Sequence, residues 1–250
     1  MFYPGLVSIS FRGLCPDEII SLCKENGLCK IEWGSDVHVP VGDIKKAKEI
    51  FEKCKTAGVD PFAYGSYYRL SENTVPFSSY LETAEALGSK VIRIWAGTKS
   101  PDKVNKDEYE ALVKEAKKIS LAAAQKGITI ATECHLGTMT ENHTDGLKFL
   151  KDVDQENFRT YWQPNQFKTF EQNIEAAKAL SPFTVGVHVF NWDDKGRYPL
   201  CDGVEKWLSY LEHFVGLDIP LMLEFMHDDR PESLKATAET LNDFIKGALK

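Results

Sequence analysis

The chain has 250 residues, 43% of them apolar and 27% charged, with a formal net charge of −7. That length suits one large domain with a substantial core. No apolar run approaches the roughly 20 residues of a membrane span, and the acidic balance argues against a nucleic-acid partner, which draws on basic surface. The opening Met1-Phe-Tyr-Pro-Gly lacks the basic region and cleavage pattern of a secretory leader. Six cysteines, at 15, 23, 29, 54, 134 and 201, show neither metal-finger nor redox spacing. Together these features predict reduced thiols and a cytoplasmic location.

Strands are predicted at 6–11, 28–33, 61–68, 89–96, 128–134, 158–163, 184–190 and 220–225. Between them, apolar residues recur at helical spacing: Ile44, Ala47, Phe51 and Cys54; Leu112, Ala116, Ile119 and Ala123; Leu234, Ala238, Leu241 and Ile245. Gly27, Gly58, Gly88 and Gly127 each stand just before a strand, where a left-handed residue closes the preceding helix. Strand and helix alternate eight times with no linker-like segment. This predicts a parallel sheet inside a ring of helices, closed into one (β/α)8 TIM barrel domain over residues 1–250.

Such barrels carry their chemistry at the C-terminal ends of the strands, and polar residues concentrate there in this chain. Side chains alternate faces along a strand. Glu133 shares a face with Ala131 and Thr129, His188 with Gly186, and Glu224 with Met222, while Ile130, Val187 and Leu223 take the opposite face. Gln163 ends the sixth strand in the corresponding place. A lone Glu or His at a strand end is more often solvated or structural; four together point to a shared site. Two carboxylates, an imidazole and an amide predict one divalent cation held by Glu133, Gln163, His188 and Glu224. Oxygen and nitrogen donors without thiolates leave Mn²⁺, Mg²⁺, Co²⁺ or Zn²⁺ open. A cation on a carbonyl oxygen acidifies the neighbouring C–H, and Glu133 and Glu224 are the carboxylates to remove and return its proton.

His135 lies just beyond Glu133 on the same face and is expected to touch substrate. Trp95 is expected to wall the pocket or to pack in the core. His38 and Arg197 stand on longer loops, where barrels place substrate contacts. Glu32 and Arg93 also alternate inward, and a buried charge requires a partner, so they are predicted as a structural ion pair. Cys134 points outward as packing, and His143 and His213 receive no role.

With these residues in hand the chain resembles the xylose isomerase-like barrels, the sugar phosphate isomerase/epimerase superfamily, over nearly its full length. Ile31-Glu-Trp-Gly34 through His38, Trp95, Glu133-Cys-His135, His188 and Glu224 carry the resemblance. Ketose 3-epimerases of that superfamily place a Glu, an Asp, a His and a second Glu around one metal, usually Mn²⁺, and use both Glu residues for proton transfer. The resemblance implies those tasks for Glu133, His188 and Glu224, and a substrate-positioning task for Arg197. Gln163 departs from the pattern, standing where many members have Asp; a neutral amide attracts a cation less strongly. The implied activity is metal-dependent isomerisation or epimerisation of a sugar or sugar derivative through an enediolate. Gln163 favours the alternative of a non-catalytic sugar-binding barrel, and a dehydratase or lyase on the same scaffold is a third reading. Related apurinic endonucleases need more metal ligands than can be placed here. The partner implied is a small sugar, and the sequence leaves a homo-oligomer open.

Overall fold

A computed structural model describes residues 1–248. Its strands, in chain order, are β1 (Phe2–Val7), β2 (Lys30–Gly34), β3 (Asp60–Arg69), β4 (Val91–Trp95), β5 (Thr129–Thr132), β6 (Phe158–Trp162), β7 (Thr184–Val189), the short β8 (Trp192–Asp193) and β9 (Gly196–Arg197), and β10 (Ile219–Leu223). Eight of them pair in parallel and close into a barrel, with β10 lying between β7 and β1. β8 and β9 form a separate antiparallel ribbon after β7. The main helices are α1 (Pro16–Glu25), α2 (Ile44–Ala57), α3 (Phe77–Leu87), α4 (Lys106–Ala124), α5 (His143–Val153), α6 (Phe170–Leu180), α7 (Val204–Leu211) and α8 (Leu234–Ala248). The closed barrel wrapped in helices is the architecture expected from the alternation. Among the described residues, no helix is long and apolar enough to cross a membrane.

Local chemistry sets the helix limits. Asp43 accepts from Lys46 N at the start of α2, and Asn105 with Glu108 forms a reciprocal cap on α4. The four glycines predicted to close helices all have positive φ. The stripe Leu112, Ala116, Ile119 and Ala123 is buried on α4. Outward strand residues pack under the helices: Trp162 meets Trp207, Tyr210 and Phe214.

The first strand occupies 2–7 rather than 6–11, and Ser8–Phe11 is a short 3-10 turn. Pro4 is accommodated in this strand because proline loses only its donor; its carbonyl still accepts from Cys29 N at 2.9 Å. β1 closes the barrel against β10 from Phe2↔Ile219 to Leu6↔Leu223. Ile219 N donates to Met1 O at 3.1 Å, and the Tyr3 hydroxyl to Asp218 at 2.9 Å.

Two backbone features shape the mouth. The β3–β4 register shifts between Gly65 and Tyr68, so that Arg69 comes to lie opposite Trp95. Tyr67, inside this bulge, has a left-handed φ of 53°. Ser66 Oγ fixes the bulge by donating to Arg93 O at 2.6 Å and accepting from Tyr68 N at 3.2 Å. Deeper in the barrel, Tyr161 fills the space beside Gly186, where an added Cβ would lie 2.6 Å from Tyr161 Cε1. Gly186→Ala is therefore expected to overpack the interior and cost about 1–3 kcal/mol, visible as a lower melting temperature in circular dichroism. An unchanged melting temperature would show that Tyr161 has room to move.

Candidate metal and proton-transfer site

The site starts from Arg93, which points into the barrel from β4 with 2% exposure. Its Nε donates to Glu32 Oε1 at 2.6 Å, and its Nη1 donates to Glu133 Oε2. The expected Glu32–Arg93 pair is present and extends to Glu133. Gly65 makes room for it: a Cβ there would lie 2.9 Å from Arg93 Nη2 and 3.0 Å from Glu32 Oε1. Burial acts to raise the Glu32 pKa, but Arg93 and His188 outweigh it and hold the carboxyl at about 2. Glu133 is likewise below the usual carboxylate range: Arg93, then His188, overcomes the burial that would raise it.

His188 is completely buried at the end of β7 and lies against the Tyr161 ring, 4.6 Å between centroids. Its Nε2 faces Glu32 Oε2 at 3.3 Å. Its Nδ1 faces Gln163 Oε1 at 2.9 Å and Glu224 Oε2 at 3.5 Å. Acceptors therefore meet both ring nitrogens. Burial disfavours the charged ring, but Glu224 and Glu32 raise its pKa to about 9. Gln163 Nε2 donates to Cys134 O at 3.2 Å, which turns Oε1 toward the imidazole. Glu224 follows β10 directly; burial pushes its pKa up to about 7, with Glu133 adding to the rise and His188 opposing it.

The donor set fits a divalent cation. One ligand atom from each of Glu133, His188 and Glu224 lies within 4.8 Å of the others, and all three residues are buried. Small side-chain shifts bring such a set onto one ion at bond lengths of about 2.0–2.2 Å. Gln163 Oε1 supplies a neutral oxygen next to His188 Nδ1. That nitrogen is turned toward the other ligands, while Glu32 engages Nε2, a contact that orients a ligating ring.

The other candidates separate into two groups. Trp95 and His135 border the cluster. The Trp95 indole donates to Glu133 Oε2 at 2.7 Å, and the His135 ring lies 4.7 Å from that of Trp95. His38 and Arg197 are placed otherwise. His38 is buried, with Nδ1 bonded to Ser8 Oγ at 2.9 Å and Nε2 to Leu14 O at 3.2 Å. Both nitrogens are taken within the chain, so His38 ties the β1–α1 loop to the barrel instead of offering a free substrate contact. Arg197 sits exposed on β9, pairs with Asp229, and covers the rings of Trp192 and Phe225 at 4.7 and 4.9 Å.

Three residues outside the sequence-based set also border the site. Tyr67 packs edge-on against Trp95 at 5.1 Å, and Arg69 stacks 3.8 Å from the Trp95 ring centre. Tyr161 brings a buried hydroxyl that has no partner among the described residues. The inward parity of Tyr161 is legible from its place two residues before Gln163. Tyr67 and Arg69 likewise keep the parity of inward Gly65, but the bulge that sets Arg69 opposite Trp95 has no periodic signal.

Comparison with known proteins bears on this arrangement at the level of fold and family. Among curated proteins, none matches the sequence significantly. Among solved structures, a probable 3-DHS dehydratase, AsbF, from Bacillus anthracis is similar with a TM-score of 0.81 and 18% identity, over 96% of this chain and 98% of that one. D-psicose 3-epimerase from Clostridium cellulolyticum H10, solved with D-tagatose, gives a TM-score of 0.72 and 13% identity over 98% and 99% of the two chains. The IOLI protein, solved with a bound zinc atom, gives 0.74 and 16% identity over 98% of each. At such identities these are likenesses of fold. The sequence profile of one family, described as xylose isomerase-like TIM barrel, matches residues 20–245. The chain belongs to the xylose isomerase-like TIM barrel family.

Proposed function

We propose that the chain is a divalent-metal-dependent isomerase or epimerase that moves a proton at a carbon beside the carbonyl of a sugar or sugar derivative. One observation carries this reading: the carboxylates of Glu133 and Glu224 approach from different strands and meet His188 within 4.8 Å. A divalent cation bound there would act as a Lewis acid on a substrate carbonyl oxygen and so acidify the adjacent C–H. Glu133 and Glu224 are the groups to take up and return the proton. Arg93 keeps Glu133 ionised and fixed in place, and the Trp95 indole donates to the same oxygen. Their burial keeps bulk water from the exchanging proton. Mn²⁺ is the ion favoured by the superfamily resemblance, and Mg²⁺, Co²⁺ or Zn²⁺ suits the same donors. A reducing, cytoplasmic setting belongs to this reading, and all six cysteines are unpaired.

Titration with Mn²⁺ examines the ligand set. His188→Ala is expected to weaken binding by more than the roughly 10–100-fold typical of residues that only orient a ligand. Gln163→Asp is expected to tighten it, because it adds an anion beside the cation. Unaltered affinity in His188→Ala, with the fold intact, would remove the imidazole from the set.

Metal binding also has an expected pH dependence. The proton on His188 Nδ1 must leave before that nitrogen can ligate. Above about pH 7, where Glu224 is ionised, apparent Mn²⁺ affinity should then rise toward about pH 9 by about tenfold per unit for one proton displaced, and level off above. Calorimetry in buffers of different ionisation heat counts that proton; binding without proton release contradicts the assignment.

Proton transfer is read from hydrogen exchange in D₂O across ketoses and keto acids. Glu133→Gln and Glu224→Gln are each expected to lower exchange on a turned-over substrate by about 10²–10⁴ at saturating Mn²⁺. A variant that keeps near-full turnover under those conditions has lost no essential proton carrier. Binding of sugars with no exchange in the unmodified protein would favour the sugar-binding barrel that Gln163 suggests.

A further inference from the structure

At the mouth of the barrel, the charged side chains form a pattern that the proton-transfer chemistry does not use. Arg12 pairs with Asp36, Arg93 with Glu32 and Glu133, and Arg197 with Asp229. Arg69 has no such partner. Unlike Lys195 and Arg230, which are also without an ion pair among the described residues but exposed, it is partly buried against a ring of the site. Its guanidinium has no carboxylate within ion-pair distance and no hydrogen-bond partner among the described residues. Only its backbone is engaged, by Asn73. Glu72 and Glu133 act on its charge from farther away, and Glu72 is already bonded by Thr98.

This unpaired cation is held in a defined place. The β3 bulge brings Arg69 opposite Trp95, and its guanidinium stacks 3.8 Å from the centre of that ring. The same indole donates to Glu133 Oε2 at 2.7 Å. The same ring thus carries the guanidinium on its face and, at its edge, a carboxylate assigned to proton transfer. Tyr67 secures the other side: it packs edge-on against Trp95, and its hydroxyl accepts from Arg12 at 2.7 Å. A left-handed φ at a bulky residue is unfavourable, and here it belongs to the bulge that carries Arg69 to the mouth.

We infer that Arg69 is a substrate-binding residue and that the substrate bears a carboxylate near its reacting carbon, as in a sugar acid or a hydroxy-keto acid. The inference rests on the proposed metal-dependent reading of the site. In that reading, Glu32, Glu133 and Glu224 are balanced by Arg93 and a divalent cation, with His188 neutral. Arg69 is then the cation in contact with the site, through Trp95, that no carboxylate pairs. A planar guanidinium fork pairs with a carboxylate through two parallel hydrogen bonds. A single fork pairs one to one with a carboxylate monoanion, whereas a phosphate dianion beside Glu72 and Glu133 would meet more negative charge than one guanidinium offsets.

The test uses three-carbon probes on the full chain loaded with Mn²⁺: hydroxypyruvate, neutral dihydroxyacetone, and dihydroxyacetone phosphate, followed by calorimetry. The unmodified protein is expected to bind hydroxypyruvate at least about tenfold more tightly than dihydroxyacetone. Arg69→Gln should reduce that preference by roughly 10–100-fold, the usual worth of hydrogen bonds to a charged group. Arg69→Lys, which keeps charge but loses the fork, should fall between the two. Mn²⁺ affinity and melting temperature should not change in either variant. The inference is overturned if hydroxypyruvate is not preferred, or if its preference survives Arg69→Gln, because the ion alone then holds the carboxylate. It is also overturned if dihydroxyacetone phosphate binds more tightly than hydroxypyruvate in an Arg69-dependent way. Absence of Mn²⁺ binding would sink the metal reading separately. The same titrations on metal-free protein then decide the carboxylate site, an Arg69-dependent preference supporting it and no preference overturning it.

Discussion

A guanidinium with almost no access to water sets the terms for the rest of this barrel. Unpaired at that depth, Arg93 would be severely destabilising. Glu32 and Glu133 neutralise it, and each passes the constraint onward. The second oxygen of Glu32 faces His188, and the oxygen of Glu133 that meets Arg93 also accepts from Trp95. The orientation of an imidazole, a carboxylate and an indole thus follows from satisfying one buried cation. Without Arg93, three carboxylates would share a nearly dry cavity, and their mutual repulsion would favour protonation or disorder. The ion pair is structural in origin, yet it defines the geometry in which any chemistry takes place.

The backbone at the mouth departs from regular structure where that geometry demands it. Glu224 leaves the end of β10, and the next residue, Phe225, takes a left-handed φ of 55°. Its amide donates to Ser10 Oγ at 2.9 Å, and its ring stacks with Trp192 at 5.4 Å. Tyr67 adopts the same unusual region on the opposite part of the rim. Both residues belong to strand-end segments that bring charged groups to the mouth, and both are braced by side chains from other loops. Local conformational cost is offset by packing that the regular barrel supplies.

What could be read from the sequence follows from how periodic each signal is. Alternation along a strand has period two, so spacing alone assigns Glu133, Gln163, His188 and Glu224 to a common face. Arg93 and Glu32 obey the same parity. The closed barrel follows from eight repeats, the first four of whose helices end at recognisable glycines. Signals that depend on a break in periodicity stay hidden. Two extra residues in β3 leave the parity of Tyr67 and Arg69 with Gly65 intact but set Arg69 opposite Trp95, a shift that spacing does not reveal. His38 sits where loops commonly meet ligands, but its ring folds back to satisfy Ser8 and the Leu14 carbonyl. Which way a loop histidine turns depends on partners far away in sequence. The first strand begins at Phe2 rather than at residue 6 because tertiary pairing with β2 and β10 decides its limits.

The join between β1 and β10 has a consequence for how the molecule assembles. It unites segments about 215 positions apart, as in the Tyr3–Asp218 contact. Every other neighbouring pair of strands in the barrel is consecutive in the chain apart from the β8–β9 ribbon. Loop-closure entropy and high contact order place this join late in folding. Until it forms, two parallel edges remain open to pairing with other chains. Glu224 is placed beside His188 by the β10–β7 pairing, but the Glu32 contact that orients His188 reaches from β2 to β7 and forms only as the cylinder closes. An ion bound to His188 in the orientation that Glu32 imposes would favour the closed form and so stabilise it. Occupancy of the mouth and protection of the chain ends from opening are then two readings of one equilibrium.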